Sequence, residues 1–598
     1  MKPTPTENRL ALRTADFSTL TEALDYAAQG ETGLNFYTRA DKLYAVLPYA
    51  ELREQARALA RRLHGFGLER GARVAIIADT HPDFHRFYFA SQYAGLVPTP
   101  LPASLHLGSQ QAYVAQLRRL LVNSQASIAM APTGILPFLA KAAEGLDLRF
   151  LGSPEDFADL PQGGSELRPL ESAEVAYFQY TSGSTRFPRG VMITQRAVMM
   201  NLADISNHGA KMRPGDRCVS WLPYYHDMGL VGLVLVPLAN QLSVDYLGTR
   251  DFAMRPRQWL ALMTRNRGTI SFSPPFGYEL CARCVREKEA AQFDLSAWRI
   301  AGVGAEMIHP STLERFAEAL APGGFDSRAF VACYGMAECS LAVSFAPLNR
   351  GLEVDCVDAG HLGEYHEAVP AGSVPGKAVV RVNCLVKCGT PLPGYELEVR
   401  DREGRVLPER QGGTLFVRGP SLMSGYFGDA KATEEVLSPD GWLNTGDLGY
   451  RIRDSIVITG REKDMMIING RNIWPQDLEY LAEQQPEVRT GDASAFSVSG
   501  LDGEEKAVMV IQCRVSHAAQ RASLAERLQG LVREEIGITC FVELVPPRTL
   551  PRTSSGKLSR SGARKDFLKR VASGQTKAPG EVVYAPALGE QGVHPELL

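Results

Sequence analysis

Residues Tyr180 to Val191 read Tyr-Thr-Ser-Gly-Ser-Thr-Arg-Phe-Pro-Arg-Gly-Val. Thr181, Ser182, Ser184 and Thr185 set hydroxyls around Gly183, and the cations Arg186 and Arg189 follow. Hydroxyl donors, backbone N–H groups of a glycine-bearing loop and guanidinium forks all suit phosphate oxygens. The stretch is not a G-x-x-x-x-G-K-[ST] loop, because that lysine and spacing are absent. Taken alone it reads either as a phosphate cradle or as a surface Ser/Thr/Gly turn. Cys281 and Cys284 form a lone C-x-x-C inside a helical pattern, with no second pair at zinc-ribbon spacing. They read as buried or half-buried thiols, as do Cys384 and Cys388. Ten cysteines in 598 residues do not make a disulfide scaffold.

Periodicity supplies the elements that would carry such residues. The run before the loop, Glu174 to Tyr180, is a strand pattern, and the segment after Met192 is helical. Helices are expected at Ser18 to Ala28, Tyr49 to Gly67, His81 to Ala94 and Gln110 to Val122. Strands are expected at Arg73 to Asp79 and Ala126 to Pro132, and Pro98, Pro100 and Pro102 break the pattern between them. Further strands at Arg217 to Pro223, Gly268 to Pro275, Trp298 to Glu306 and Phe330 to Glu338 end in glycine or polar residues. The alternation predicts an α/β fold with largely parallel sheet and ligands at the C-terminal strand ends.

Residues 347–388 hold many glycines and prolines and predict an irregular segment. Period-two runs at Tyr395 to Arg400, Gly413 to Gly419 and Ser455 to Gly460 predict a β-rich subdomain. Gly460 to Asp464 is a charged break. The expected division is a large domain over 1–460, a small α+β domain over 461–572 and a disordered tail over 573–598. Residues 1–16 also read as a mobile polar arm.

Apolar content of 45% and charged content of 22% describe an ordinary globular chain. A net charge of -3 gives no general reason for a nucleic-acid partner. There is no signal-peptide pattern and no apolar run of about 18 residues, so no membrane span is expected and the location is read as cytoplasmic.

Five stretches in order resemble the adenylate-forming superfamily of acyl-CoA synthetases, peptide-synthetase adenylation domains and luciferases. They are the 180–191 loop, Gly304-Ala-Glu306, Tyr334-Gly-Met-Ala-Glu338, Thr445-Gly-Asp447 with Gly460-Arg461, and Pro551-Arg-Thr-Ser-Ser-Gly-Lys557. The resemblance covers roughly residues 20 to 570. Trp221 to Leu230 and Gly460 to Glu479 are most similar to the fatty acyl-AMP ligases, and residues 350–388 fall where that family carries an insertion. In the family this insertion hinders the rearrangement needed for CoA chemistry.

The resemblance implies that fatty acid and ATP give acyl-AMP and pyrophosphate, with Mg²⁺ as cofactor and the thiol of an acyl carrier protein as acceptor. It implies that Thr181, Ser182, Gly183, Ser184, Thr185, Arg186 and Arg189 grip the leaving phosphates. Most relatives have Gly at 186 and Lys at 189, so the individual roles of the two arginines stay open. Glu338, with Thr185, would hold the metal. Gly304, Ala305, Glu306, Tyr334, Gly335, Met336 and Ala337 would bind the nucleotide, Ala305 and Tyr334 as the adenine walls, Asp447 would accept from the ribose hydroxyls, and Arg461 would assist at ribose or α-phosphate.

By the same resemblance Lys557 is the catalytic cation and Lys463 the hinge. Tyr225, His226, Asp227, Met228, Gly229, Ser273, Phe276 and Tyr278 would border the acyl pocket. His226 either gates the pocket, positions the carboxylate or packs. Two other readings stand beside this one: a fatty acyl-CoA synthetase, which shares every adenylation residue, and an inactive acyl- or nucleotide-binding module.

Overall fold

A computed structural model describes residues 1–103, 110–163, 166–181, 188–373, 382–468, 471–499, 505–553 and 558–576. The chain forms two compact units. The first runs from Met1 to Thr459, apart from Gly363–Tyr365, which groups with the second; the second begins at Gly460.

The largest sheet of the first unit has nine strands. Their order is Thr390–Pro391, Ala342–Phe345, Phe330–Gly335, Ile300–Val303, Ile270–Ser273, Arg217–Ser220, Ser243–Leu247, Gly33–Tyr37 and Leu43–Pro48. The central pairs are parallel and the flanking ones antiparallel. These central strands are short and buried along almost their whole length, as parallel strands covered on both faces must be, so their polar residues such as Arg217 and Asp245 are paired inside. A second, parallel sheet orders Val97–Leu101, Arg73–Ile77, Ala126–Met130 and Phe150–Gly152. Helix Tyr49–His64 buries Leu52, Ala56, Leu59, Ala60 and Leu63, one stripe at helical spacing.

Where the prolines at 98 and 100 predicted a break, a strand forms. Val97–Leu101 is the sheet's edge, and Pro98 and Pro100 share one parity. The positions that lack an N–H therefore face away from the ladder, while Val97 N–H donates to Ala72 O.

The N-terminal arm is not a mobile segment. Thr4 is buried, its N–H donates to Asn35 Oδ1 at 2.8 Å, and its carbonyl accepts from Arg217 Nη1 at 2.8 Å. Arg217 is itself buried and forks onto Asp245 at 2.6 and 2.7 Å. A buried cation needs every donor satisfied, and the arm supplies one of the acceptors.

The segment expected to be irregular holds regular structure. Val354–Asp358 pairs antiparallel with Val382–Val386, and helix Ala359–Tyr365 follows the first strand with Asp358 as its cap. Cys356 faces Cys384 in register and the two form a disulfide, so Cys384 is not a free thiol. Asp355 fastens the hairpin to the β-rich subdomain: it accepts from Tyr450 OH at 2.7 Å and from both Arg410 terminal nitrogens at 3.2 and 3.1 Å. That subdomain is a four-stranded sheet of Glu396–Arg400, Gly413–Arg418, Leu443–Ile452 and Ser455–Arg461.

The second unit carries a strand pair, Met466–Ile468 with Arg471–Ile473, and a three-stranded sheet of Ala493–Ser499, Glu505–Gln512 and Cys540–Val545. Helices Pro475–Glu483, Ala518–Glu535 and Arg560–Ala572 pack around them. Strand Ala493–Ser499 and helix Arg560–Ala572 were not foreseen from periodicity.

Candidate functional site

The loop of hydroxyls connects two paired strands. Strand Val175–Tyr180 pairs antiparallel with Gly190–Thr194, and Tyr180 faces Gly190. Its neck is tied twice: Thr181 N–H donates to Arg189 O at 3.1 Å, and Arg189 N–H donates to Thr181 Oγ1 at 3.4 Å. A helix, Gln195–Asp204, starts three residues after Met192, with Thr194 as its cap. Ser182, Gly183, Ser184, Thr185 and Arg186 lie outside the described residues, as does Lys557.

A third strand, Gly425–Tyr426, joins this hairpin on the other side, with Tyr426 facing Val191 and Phe427 N–H donating to Gly190 O. Tyr426 OH donates to Glu338 Oε1 at 2.8 Å. The Arg189 guanidinium carbon lies 5.1 Å from the centre of the Tyr426 ring, and Arg189 Nε is 3.7 Å from Asp429 Oδ2. Thus Glu338 and Arg189, far apart in sequence, meet at one phenol. Burial, reinforced by the charge of Glu338, pushes the Tyr426 hydroxyl far above its usual range and keeps it a donor. Tyr426 and Asp429 had no motif to single them out, and pairing against Val191 is what brings them here.

Glu338 sits in a turn that closes strand Phe330–Gly335. Met336 N–H donates to Leu341 O at 2.8 Å, and Met423 N–H to Glu338 O at 2.8 Å. A Cβ on Gly335 would come within 1.8 Å of Leu341 O, so only glycine permits the turn. Ala337 is buried inside it, while Met336 is half-buried. A carboxylate is a hard oxygen donor, and one oriented by a phenol bond on Oε1 fits a divalent cation whose other ligands come from phosphate oxygens.

Tyr334 OH donates to Asp447 Oδ2 at 2.8 Å, and both side chains are buried. Burial first, and then the Asp447 charge, hold the phenol protonated. Asp447 N–H is bound to Thr445 Oγ1 at 3.1 Å, and Thr445 in turn donates to Leu415 O, which anchors the turn to the β-rich sheet. The neighbouring strand end, Gly304-Ala305-Glu306, is tight: Cys333 O would lie 2.7 Å from a Cβ on Gly304. Ala305 is exposed with φ of 69°, a left-handed backbone that alanine adopts only under constraint.

His226 caps the short helix Asp227–Leu230, which runs on through a π-turn, Val231–Leu235. Its Nδ1 is 2.6 Å from Asp227 Oδ1, which also accepts from Met228 N–H at 2.7 Å. This fixes the ring and leaves Nε2 as the other functional nitrogen. Gln179, unnoticed in the sequence, donates its amide to Tyr225 O at 2.7 Å and so ties the foot of the hydroxyl loop to the His226 turn. Met228 is buried, and Gly229 packs where a Cβ would meet Pro223 O at 2.1 Å. Phe276 is half-buried against Trp221.

Ser273 and Tyr278 are fully buried. Tyr278 lies in a core of Trp259, Trp298, Phe316 and Phe330, and its OH donates to Gly302 O at 2.8 Å. The structure thus uses it to hold a central strand. In the second unit, Arg461 and Lys463 are exposed on a turn whose Asp464 accepts from Arg560 Nη1 at 2.8 Å. Arg560 also forks onto Glu479 at 2.7 Å.

A profile of the AMP-binding enzyme family matches residues 30–427. A Caulobacter vibrioides protein provisionally named acyl-CoA synthetase is 46% identical over 569 residues, 94% of this chain and 98% of its own. The medium-chain-fatty-acid–[acyl-carrier-protein] ligase JamA of Moorena producens is 31% identical over 577 residues, 93% and 96% of the two chains. A solved structure from work on fatty acyl-adenylate ligases of E. coli and L. pneumophila aligns with a TM-score of 0.89 at 46% identity, covering 94% of this chain and 100% of that one.

Proposed function

Because the chain belongs to the AMP-binding enzyme family, we propose that it is a fatty acyl-adenylate ligase: it joins a fatty acid to ATP, giving acyl-AMP and pyrophosphate, and then passes the acyl group to a carrier-protein thiol. The observation that carries this reading is the convergence of Glu338 and Arg189 on Tyr426 at the neck of the hydroxyl loop. An acid suited to a metal and a cation suited to phosphate stand together there.

In this reaction a carboxylate oxygen attacks the α-phosphorus and the bond to the β-phosphate oxygen breaks. Both partners are anions, so catalysis consists of positioning and charge stabilisation. Glu338 and Thr185 would hold Mg²⁺, which supplies charge neutralisation on the phosphates when bound. Arg189 and the loop hydroxyls receive the departing pyrophosphate, and Arg186 adds a second guanidinium. Asp447, oriented by Tyr334 and Thr445, takes the ribose hydroxyls; Ala305 and the Tyr334 face border the adenine. His226, oriented by Asp227, places the fatty carboxylate; no base is needed, since that acid is already ionised near neutral pH.

Lys557 meets the charge that crowds between carboxylate and α-phosphate. A turn about Lys463 would carry it away for the thioester step. Arg461 supports ribose or α-phosphate.

The carrier-protein acceptor is favoured by the relationship to JamA and by the hairpin fastened through Asp355 within the 350–388 segment. The Caulobacter relative's name favours CoA as a second reading. Radiolabelled fatty acid with ATP, offered CoA or carrier protein, separates the two. Acyl-AMP and carrier thioester are expected; robust acyl-CoA from the intact protein defeats the carrier reading. Lys557→Ala should slow pyrophosphate release by about a hundredfold or more while ATP binding changes little. Near-normal release from that variant would remove the lysine from the mechanism.

A further inference from the structure

Tyr426 touches both charged groups of the proposed site, yet it would itself contact neither nucleotide nor acid in the scheme above. Its backbone is held on two sides. It pairs with Val191 at the end of the hydroxyl hairpin, and its N–H donates to Thr433 Oγ1 at 2.9 Å. Asp429 N–H donates to Tyr426 O, and Asp429 caps helix Ala430–Val436 through Ala432 N–H at 3.0 Å. The ring is almost fully buried, so the phenol has one place to be. From that place its hydroxyl reaches Glu338 Oε1 at 2.8 Å and its face carries the Arg189 guanidinium.

Glu338 and Arg189 come from different segments, one from a turn after a central strand and one from the end of a loop. A carboxylate and a guanidinium on independent long side chains would keep neither their spacing nor their direction. A phenol hydrogen-bonded to the acid, with the cation over its ring, sets both relative to one rigid body.

We propose that Tyr426 is a positioning residue that sets the carboxylate of Glu338 for the metal and the guanidinium of Arg189 for pyrophosphate as one unit, with Asp429 Oδ2 3.7 Å from Arg189 Nε. This rests on the reading of Glu338 as the metal-holding acid and Arg189 as a pyrophosphate cation. The hydroxyl reaches Glu338, and the hydroxyl and ring together hold the guanidinium, so removing the hydroxyl alone and then the ring as well reads the two contributions in turn.

Mn²⁺ binding to the full chain with α,β-methylene-ATP, followed by electron paramagnetic resonance, tests the metal half without turnover. Tyr426→Phe keeps the ring and loses the hydroxyl; Mn²⁺ affinity should fall about tenfold while metal-free nucleotide binding stays unchanged. Tyr426→Leu loses the ring as well, and inhibition by pyrophosphate should then weaken about threefold to tenfold further. Thermal unfolding of both variants checks that they fold, and Tyr426→Phe keeps the buried ring. Glu338→Gln is the control. If it leaves Mn²⁺ affinity unchanged, the metal reading of Glu338 fails and this inference with it. If Glu338→Gln weakens Mn²⁺ but Tyr426→Phe binds like the wild type, the inference alone is overturned.

Discussion

Replacing Arg410 by methionine should loosen the hairpin that lies within residues 350–388. Asp355 there is buried and accepts from three donors, two on Arg410 and one on Tyr450. Removing one partner of a buried ion pair costs about 3–5 kcal/mol, because the remaining charge is left in a poor solvent. Two features reduce that figure. The Arg410 side chain is 28% exposed, so water screens the pair in part. Tyr450 also keeps its bond to Asp355 in the variant. About 2 kcal/mol remains, or roughly a thirtyfold shift in the local opening equilibrium.

Hydrogen exchange at the amides of Val354–Asp358 reads that shift directly. The Cys356–Cys384 bond opposes opening by closing the loop between the strands, so exchange is measured in oxidised and reduced protein. Reduced Arg410→Met should exchange about thirty times faster than reduced wild type. Wild-type rates in the reduced variant would refute the claim that this ion pair fastens the hairpin. If the hairpin also restrains acceptor choice, the same variant gains acyl-CoA formation.

Two further outcomes follow from single residues. Burial pushes the His85 imidazole down to about 3, with Arg86 and His81 adding to it. The unfolded chain takes up a proton below about pH 6.5 that the native state refuses, so stability is present above that pH and is lost on acidification at about 1.4 kcal/mol per pH unit. Urea unfolding at pH 7 and pH 5 should show wild type losing about 2 kcal/mol more than His85→Phe; equal losses would contradict the burial argument. Gly335→Ala places a methyl 1.8 Å from Leu341 O. We expect this to displace the Glu338 turn, cost about 1–3 kcal/mol in stability and abolish most adenylation, measured as pyrophosphate release.

Much was legible without coordinates, and the reasons are local. Ile300–Val303 announces a buried strand because alternation is absent and Gly304 ends it, while Ile270–Ser273 alternates and is announced by Gly268 and Pro274 on either side. Tyr49–His64 announces a helix by the spacing of its leucines and alanines. Five ordered motifs identify the family because each places particular residue types at fixed offsets within a few positions of one another.

Tertiary structure decided what depends on partners distant in sequence. The prolines at 98 and 100 are tolerated only because their strand is an edge. The arm from Met1 is ordered because the buried Arg217 needs an acceptor from Thr4. Cys384 finds Cys356 because two strands distant in sequence pair in register. Tyr426 becomes part of the site only when its strand adds to the hydroxyl hairpin. Local propensity acts within a few residues, and these four outcomes are set by desolvation and hydrogen-bond satisfaction between segments that only folding brings together.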